Sequence, residues 1–254
     1  MIDLSAFSLE GRTVMVTGAN TGIGQGIALA IARAGGRVIG VSRSAMDETE
    51  RLVDVIGGAF VPVRADLADA TVAQSTFDTC WNSSGPIDGL VNNAGIIRRA
   101  DAVDVARADW DDVMNVNLKS MFFLCQSLAR RALAEQRGAK IVNIASVLSF
   151  QGGVRVAAYT ASKSAVLGIT RLMTNEWAAR GINVNAIVPG YIDTNNTAAL
   201  RADPDRSEAI LGRIPAGRWG QPSDIGDTAV FMLSRASDYM HGASVAVDGG
   251  WLAR

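Results

Sequence analysis

The sequence predicts an α/β fold: a single doubly wound, seven-stranded parallel sheet of Rossmann type with helices on both faces. Three observations support this. Short Val/Ile-rich runs alternate with longer helical stretches along the whole chain. Several of these runs are apolar at nearly every position, as in strands covered on both faces, instead of at every second position. A glycine-rich turn leads from the first run straight into an Ala/Ile-rich helix.

The strands are expected at 12–17 (RTVMVT), 37–42 (RVIGVS), 59–64 (AFVPVR), 88–93 (DGLVNN), 140–145 (KIVNIA), 182–188 (INVNAIV) and 243–248 (ASVAVD). Helices are expected at 22–34, 47–56, 69–83, 107–136, 156–180 and 222–235. From Pro189 to Pro222 no clear periodicity is present, and a polar TNNT cluster lies among prolines and glycines, so 189–220 reads as a substrate lid. No Ser/Gly/Pro-rich linker interrupts the series. Residues 1–254 therefore read as one domain carrying both the cofactor and the substrate sites.

Composition narrows the function. Hydrophobic residues make up 48% of the 254 positions and charged residues 19%, which excludes a disordered chain. A net charge of −1 offers no overall footprint for nucleic acid or an anionic membrane. The one histidine, His241, and two cysteines, Cys80 and Cys125, are too few for a His-rich zinc site or a disulfide framework, so no metal is expected. No GxSxG elbow accompanies His241, which argues against a Ser/His/Asp hydrolase. MIDLSAFSLEG carries no basic leader and no apolar run approaches a span of about 18 residues. The expectation is a cytoplasmic protein with reduced thiols and no membrane partner.

In the turn TGANTGIG, Gly18 permits the tight bend, Gly22 lets the backbone approach a pyrophosphate and Gly24 allows the helix to pack closely. Asn20, Thr21 and Ile23 complete the loop, and the helix N-terminus faces the anion. A nicotinamide-dependent reaction needs a proton donor or acceptor as well as a hydride carrier. Tyr159 and Lys163 stand four residues apart on an expected helix, hence on one face, where a cation favours the phenolate. After the second strand, Ser42 and Arg43 occupy the place where an acidic residue would hold ribose hydroxyls; a guanidinium suits a 2'-phosphate.

These motifs resemble the short-chain dehydrogenase/reductase family. TGxxxGxG opens at Thr17, NNAG (Asn92 to Gly95) ends the fourth strand, Asn117 follows in a helix, Ser146 follows the fifth strand, YTASK runs from Tyr159 to Lys163, and PGYIDT runs from Pro189 to Thr194. The resemblance implies Tyr159 as general acid/base, Lys163 as its electrostatic partner and a ribose ligand, Ser146 as donor to the substrate oxygen and Asn117 as holder of a relay water. It also places Asp66 and Leu67 at the adenine, Asn93, Ala94 and Gly95 along the cofactor, and Pro189, Gly190, Ile192 and Thr194 at the nicotinamide. The segments NNAGIIRRADA, IASVLSFQGGVRV, RIPAGRWG and AVDGGWLAR are similar to a subgroup acting on deoxy sugar acids of the 2-deoxy-D-gluconate and 2-dehydro-3-deoxy-D-gluconate type. That subgroup is generally NAD-linked, whereas Ser42 and Arg43 favour NADP, so both cofactors stay open.

A sugar acid carries a carboxylate, so an arginine is expected in its pocket. Arg99 and Arg155 lie nearest the motifs, with Arg201 and Arg218 farther along, and Gln151 is a candidate for sugar hydroxyls. The resemblance further implies a homotetramer. Two other readings stay open: a reductase of another substrate, such as a 3-oxoacyl thioester or a polyol, and a nucleotide-binding regulator without catalysis.

Overall fold

In the computed structural model, which describes residues 3–254, the strands take up an all-parallel sheet. They are β1 (Thr13–Thr17), β2 (Arg37–Ser42), β3 (Ala59–Arg64), β4 (Gly89–Asn92), β5 (Ala139–Ile144), β6 (Ile182–Pro189) and β7 (Ser244–Val247), in the order β3-β2-β1-β4-β5-β6-β7. The chain leaves β1 toward β2 on one side and returns to β4 on the other. This opens a crevice at the carboxyl ends of β1 and β4, the switch point where doubly wound sheets bind ligands.

The apolar runs explain how both faces are covered. Alternate residues of one strand enter opposite cores: Met15 of β1 joins one cluster, while Val14 and Val16 join the other. The first cluster holds Phe77, Leu90, Leu124, Leu128 and Ile141 beneath α3 (Ala70–Ser84), α5 (Ser120–Ala134) and α6 (Ala157–Trp177). The second packs Ile27, Ile31, Val38, Ile225 and Met232 beneath α1 (Gly22–Arg33) and α9 (Pro222–Leu233). Strands β4, β5 and β6 are buried at every position, whereas the edge strands β3 and β7 are partly exposed. Truncating a fully buried side chain such as Phe77 to alanine would cost about 3–5 kcal/mol.

Two expectations are corrected. The single helix read over 107–136 is α4 (Arg107–Met114) and α5 joined through a π-helical turn, Asn115–Lys119. Within the wider turn the Asn117 side chain pairs with the Ile96 backbone, 21 residues earlier in the loop after β4. The stretch after Pro189, read as lacking periodicity, contains α7 (Ala198–Arg201) and α8 (Pro204–Leu211). The Asp203 side chain caps α8 by accepting from the Arg206 amide, and Pro204 starts its first turn. Both helices are too short for a periodicity count to register. Helix α2 (Asp47–Val55) matches its expectation closely.

Candidate active site

The crevice is a cleft of about 600 Å³, walled by the β1–α1 turn, the loops after β4 and β5, the start of α6 and the segment after β6. Gly22 has φ +57°, and a Cβ there would stand 3.1 Å from the Thr194 methyl across the cleft. At Gly24 a Cβ would collide with the Gly18 carbonyl, so α1 sits against the turn only without a side chain there. No side chain caps the N-terminus of α1, and Gly22 and Ile23 line the cleft. Open amides at the positive end of a twelve-residue helix suit a pyrophosphate, so the residues present fit a dinucleotide.

The neighbouring wall is rigid. Asn93 donates its amide side chain to the Thr17 and Gly18 carbonyls at 2.9 and 3.3 Å, and the Thr17 hydroxyl accepts from the Asn93 and Ala94 amides at 3.0 Å. Asn20, Thr21, Gly95, Pro189, Gly190, Ile192 and Thr194 also face the cleft. Gly24 and Leu67 do not; Leu67 is buried, and its carbonyl accepts from Ser120 Oγ at 2.6 Å. A smaller recess beyond β2 and β3 is lined by Arg43, Ser44, Arg64 and Asp66. Ser42 lies buried behind it, accepting from the Ser44 amide at 3.2 Å. Arg64 Nε donates to the Arg43 carbonyl at 3.1 Å, so a second guanidinium stands beside the one read from sequence. Asp66 is exposed and accepts from the Ala68 amide, while the N-cap of α3 is Asp69.

At the centre of the cleft stand Ser146, Tyr159 and Lys163. Ser146 follows β5 and Tyr159 lies in the first turn of α6. Burial pushes the Tyr159 hydroxyl above its ordinary range; a hydrogen bond with Ser146 and the charge of Arg99 act in the opposite direction. Lys163 Nζ donates to the Ile144 carbonyl at 2.6 Å and lies 5.8 Å from the Tyr159 ring centroid. Burial lowers Lys163 to about 8. Burial thus acts on both members of the pair, raising Tyr159 and lowering Lys163, and Arg99 adds a second cation that pulls the phenol down. Asn117 lies behind this group, 2% exposed, donating to Ser162 Oγ and the Ile96 carbonyl and accepting from the Ile96 amide.

The arginines separate. Arg99 lines the cleft, whereas Arg155 does not; it pairs with Asp101 at 3.2 Å and takes a left-handed φ of +64° that turns the chain outward. Arg201 is held by Asp193 at 2.6 Å, and Arg218 grips both oxygens of Asp224 at 2.7 and 3.0 Å. Arg206 and Arg213, unnoticed in the sequence, line the cleft instead, together with Gln151, Tyr191 and Trp251. Among the described residues, four cationic side chains thus face the cleft (Arg99, Lys163, Arg206, Arg213), and no Asp or Glu does. Nothing in the linear sequence marks Arg206 or Arg213, because long-range packing alone brings α8 and the segment after it to the cleft that holds Tyr159.

Comparison with known proteins agrees with this geometry. A family model described as enoyl-(acyl carrier protein) reductase matches residues 18–252. The chain is 56% identical over 251 residues to a 2-dehydro-3-deoxy-D-gluconate 5-dehydrogenase of Escherichia coli K12, covering 99% of both chains. It is 54% identical to the enzyme of that name from Dickeya dadantii, again with 99% of both covered. A crystal structure from Agrobacterium tumefaciens with bound NADP superposes with a TM-score of 0.94 at 57% identity, over 98% of this chain and 99% of that one. With these relatives spanning its whole length and a sheet and glycine turn of the expected kind, the chain belongs to the short-chain dehydrogenase/reductase family of oxidoreductases.

Proposed function

We propose that this protein interconverts a secondary alcohol and a ketone on a deoxy sugar acid of the 2-dehydro-3-deoxy-D-gluconate type, using NADP. The observation that carries the substrate class is that the charged side chains lining the cleft around Tyr159 are all cationic, which favours an anionic substrate. Relatives named for that substrate, 54–56% identical over the whole chain, support the same class.

The bound dinucleotide supplies or takes up the hydride. Everything else falls to side chains. The Tyr159 hydroxyl oxygen takes the alcohol proton during oxidation and returns it during reduction, within reach of Ser146, whose hydroxyl steadies the same substrate oxygen. Lys163 would hold the ribose and pass protons from Tyr159 toward a water kept at Asn117, whose buried side chain keeps the loop after β4 in place through Ile96. Gly18, Asn20, Thr21, Gly22 and Ile23 hold the pyrophosphate, with Gly24 setting the approach of α1. Asn93, Ala94, Gly95, Pro189, Gly190, Ile192 and Thr194 line the nicotinamide half. Asp66 and Leu67 bound the adenine, and Arg43 with Arg64 holds the 2'-phosphate, which favours NADP over NAD.

Residues 189–220, with α7 and α8, form the lid of one domain that holds both sites. The protein works in the cytoplasm as a homotetramer, a reading supported by Trp110 and Leu172 left exposed on α4 and α6. Among the described residues no helix is long and apolar enough to cross a membrane. The test is cofactor absorbance followed across keto-deoxy sugar acids, neutral polyols and 3-oxoacyl thioesters, with NADP and NAD in parallel. Turnover of the sugar acids with NADP is expected; turnover of thioesters alone would overturn the assignment.

A further inference from the structure

The wall of the cleft facing away from the cofactor turn is built from three segments far apart in sequence. Trp251 is 4% exposed, and its indole N–H donates to Gln151 Oε1 at 2.8 Å. The Arg213 guanidinium lies over the Trp251 ring, 3.9 Å from its centroid. Tyr191 packs against the same indole with centroids 4.6 Å apart. All four residues line the cleft that contains Tyr159.

Their positions are enforced by the backbone. Gly249 and Gly250 both take left-handed φ values, +65° and +88°, and a Cβ on either would meet Ile214 or Pro215 within 2.9 Å. The turn they make is closed by Asp248, which accepts from the Gly250 and Leu252 amides. The Ala216 amide donates to the Gly249 carbonyl at 2.9 Å, and Arg254 donates to the Gly212 carbonyl at 2.8 Å. Segment 248–254 therefore grips segment 212–216 on both sides of Arg213, and the lid and the indole are held together.

This arrangement dictates what each polar group offers. An indole N–H is only a donor, so it fixes the Gln151 carbonyl oxygen on Trp251 and leaves the two N–H groups of that amide free to donate. A guanidinium seated over an aromatic face is held by the ring and keeps its fork of N–H donors for a carboxylate, which it can receive through two parallel bonds. Among the described residues, the Arg213 side chain has no ion-pair partner, in contrast to Arg155, Arg201 and Arg218. Its charge reaches Tyr191, whose hydroxyl burial pushes up and Arg213 and Arg206 pull down, whereas that of Arg99 reaches Tyr159. The two cationic centres thus serve different parts of the cleft.

We infer that Arg213, stacked on Trp251 and flanked by the donor amide of Gln151, is the subsite that takes the carboxylate of the substrate, while Arg99 stays beside the reacting oxygen. This rests on the sugar-acid reading of the cleft and adds the residues that distinguish an acid from the corresponding neutral polyol. Gln151 and Trp251 are positioning residues: the indole orients the amide and supports the guanidinium.

The test uses the full-length protein loaded with NADP. Binding of D-gluconate and of D-sorbitol, its uncharged counterpart, is measured by calorimetry for wild type, Arg213→Ala and Trp251→Phe, and turnover of the sugar acid is followed in parallel. Wild type is expected to bind gluconate much more tightly than sorbitol. Arg213→Ala should weaken gluconate, and raise KM for the acid, by about tenfold or more, with kcat, sorbitol binding and NADP affinity nearly unchanged. Trp251→Phe keeps an aromatic face but loses the donor and should give a smaller rise in KM, of about threefold. Unchanged gluconate binding in Arg213→Ala, or no gluconate binding by wild type, overturns the subsite. If wild type binds gluconate through Arg213 yet oxidises no sugar acid, the subsite stands and the proposed reaction falls.

Discussion

The two walls of the cleft are built by different means. On the cofactor side the polar residues sit in or beside the packed sheet and are held by backbone groups: Asn93 after β4 by two carbonyls, Asn117 by the Ile96 amide and carbonyl, Lys163 on α6 by the Ile144 carbonyl. On the opposite side the charged groups are exposed arginines on α8 and its neighbours, steered by aromatic stacking and by contacts between distant segments. The first wall tolerates little change, because a displaced polar atom would be left unpaired in the interior. The second can alter its charge pattern at smaller cost, since an exposed arginine gives up about 1 kcal/mol of stacking or less and leaves no buried polar atom unpaired. A common chemistry can thus be kept on one wall while substrate choice is adjusted on the other.

The contrast is sharpest at Tyr159. Tyr159→Phe keeps the ring and its packing, so NADP binding should hold while kcat falls at least about a hundredfold, measured by steady-state kinetics and cofactor titration. Near-normal turnover would remove the proton-transfer role.

Next is Lys163, lowered by burial to about 8 from an ordinary 10.5. Between those values the unfolded chain holds a proton that the folded chain has released, so the folded state gains stability as pH rises through that window. Relative to Lys163→Met, wild type without cofactor should gain about 3 kcal/mol between pH 8 and 10.5, read from urea unfolding at each pH. Parallel pH profiles would mean that the ammonium is not buried at such a cost.

Smaller effects probe the exposed arginines. Arg43→Ala should weaken NADP about tenfold and leave NAD nearly unchanged, since only the former carries the 2'-phosphate. Equal loss for both cofactors would detach Arg43 from that phosphate. Arg155→Ala should change KM and kcat by less than about twofold, because its exposed pair with Asp101 contributes little and it stands outside the cleft. A large KM effect there would erase the distinction drawn between Arg155 and Arg213.

Legibility in the sequence follows the same division. The seven strands and the glycine turn were readable because burial on both faces and a strand–turn–helix junction impose local patterns. Tyr159 and Lys163 were readable because one helix carries both. Residues 189–220 read as irregular in sequence because α7 and α8 are too short for periodicity to register, and sequence points to Arg155 and not to Arg213 because nearness in sequence stands in for nearness in space. Even the Tyr159–Lys163 pairing was only half legible, since spacing places the two on one face without revealing that burial acts on both.

By itself, then, the sequence determined the fold class, the family and the groups grouped around Ser146 and Tyr159, because each depends on spacing within one or two consecutive elements. Only the tertiary structure decided which arginines face the cleft, that Arg64 joins Arg43, and that Trp251 supports Arg213 and turns Gln151 into a donor. These contacts join residues a hundred positions or tens of positions apart, and such distances are closed by packing of the whole sheet and its helices, which no local pattern records.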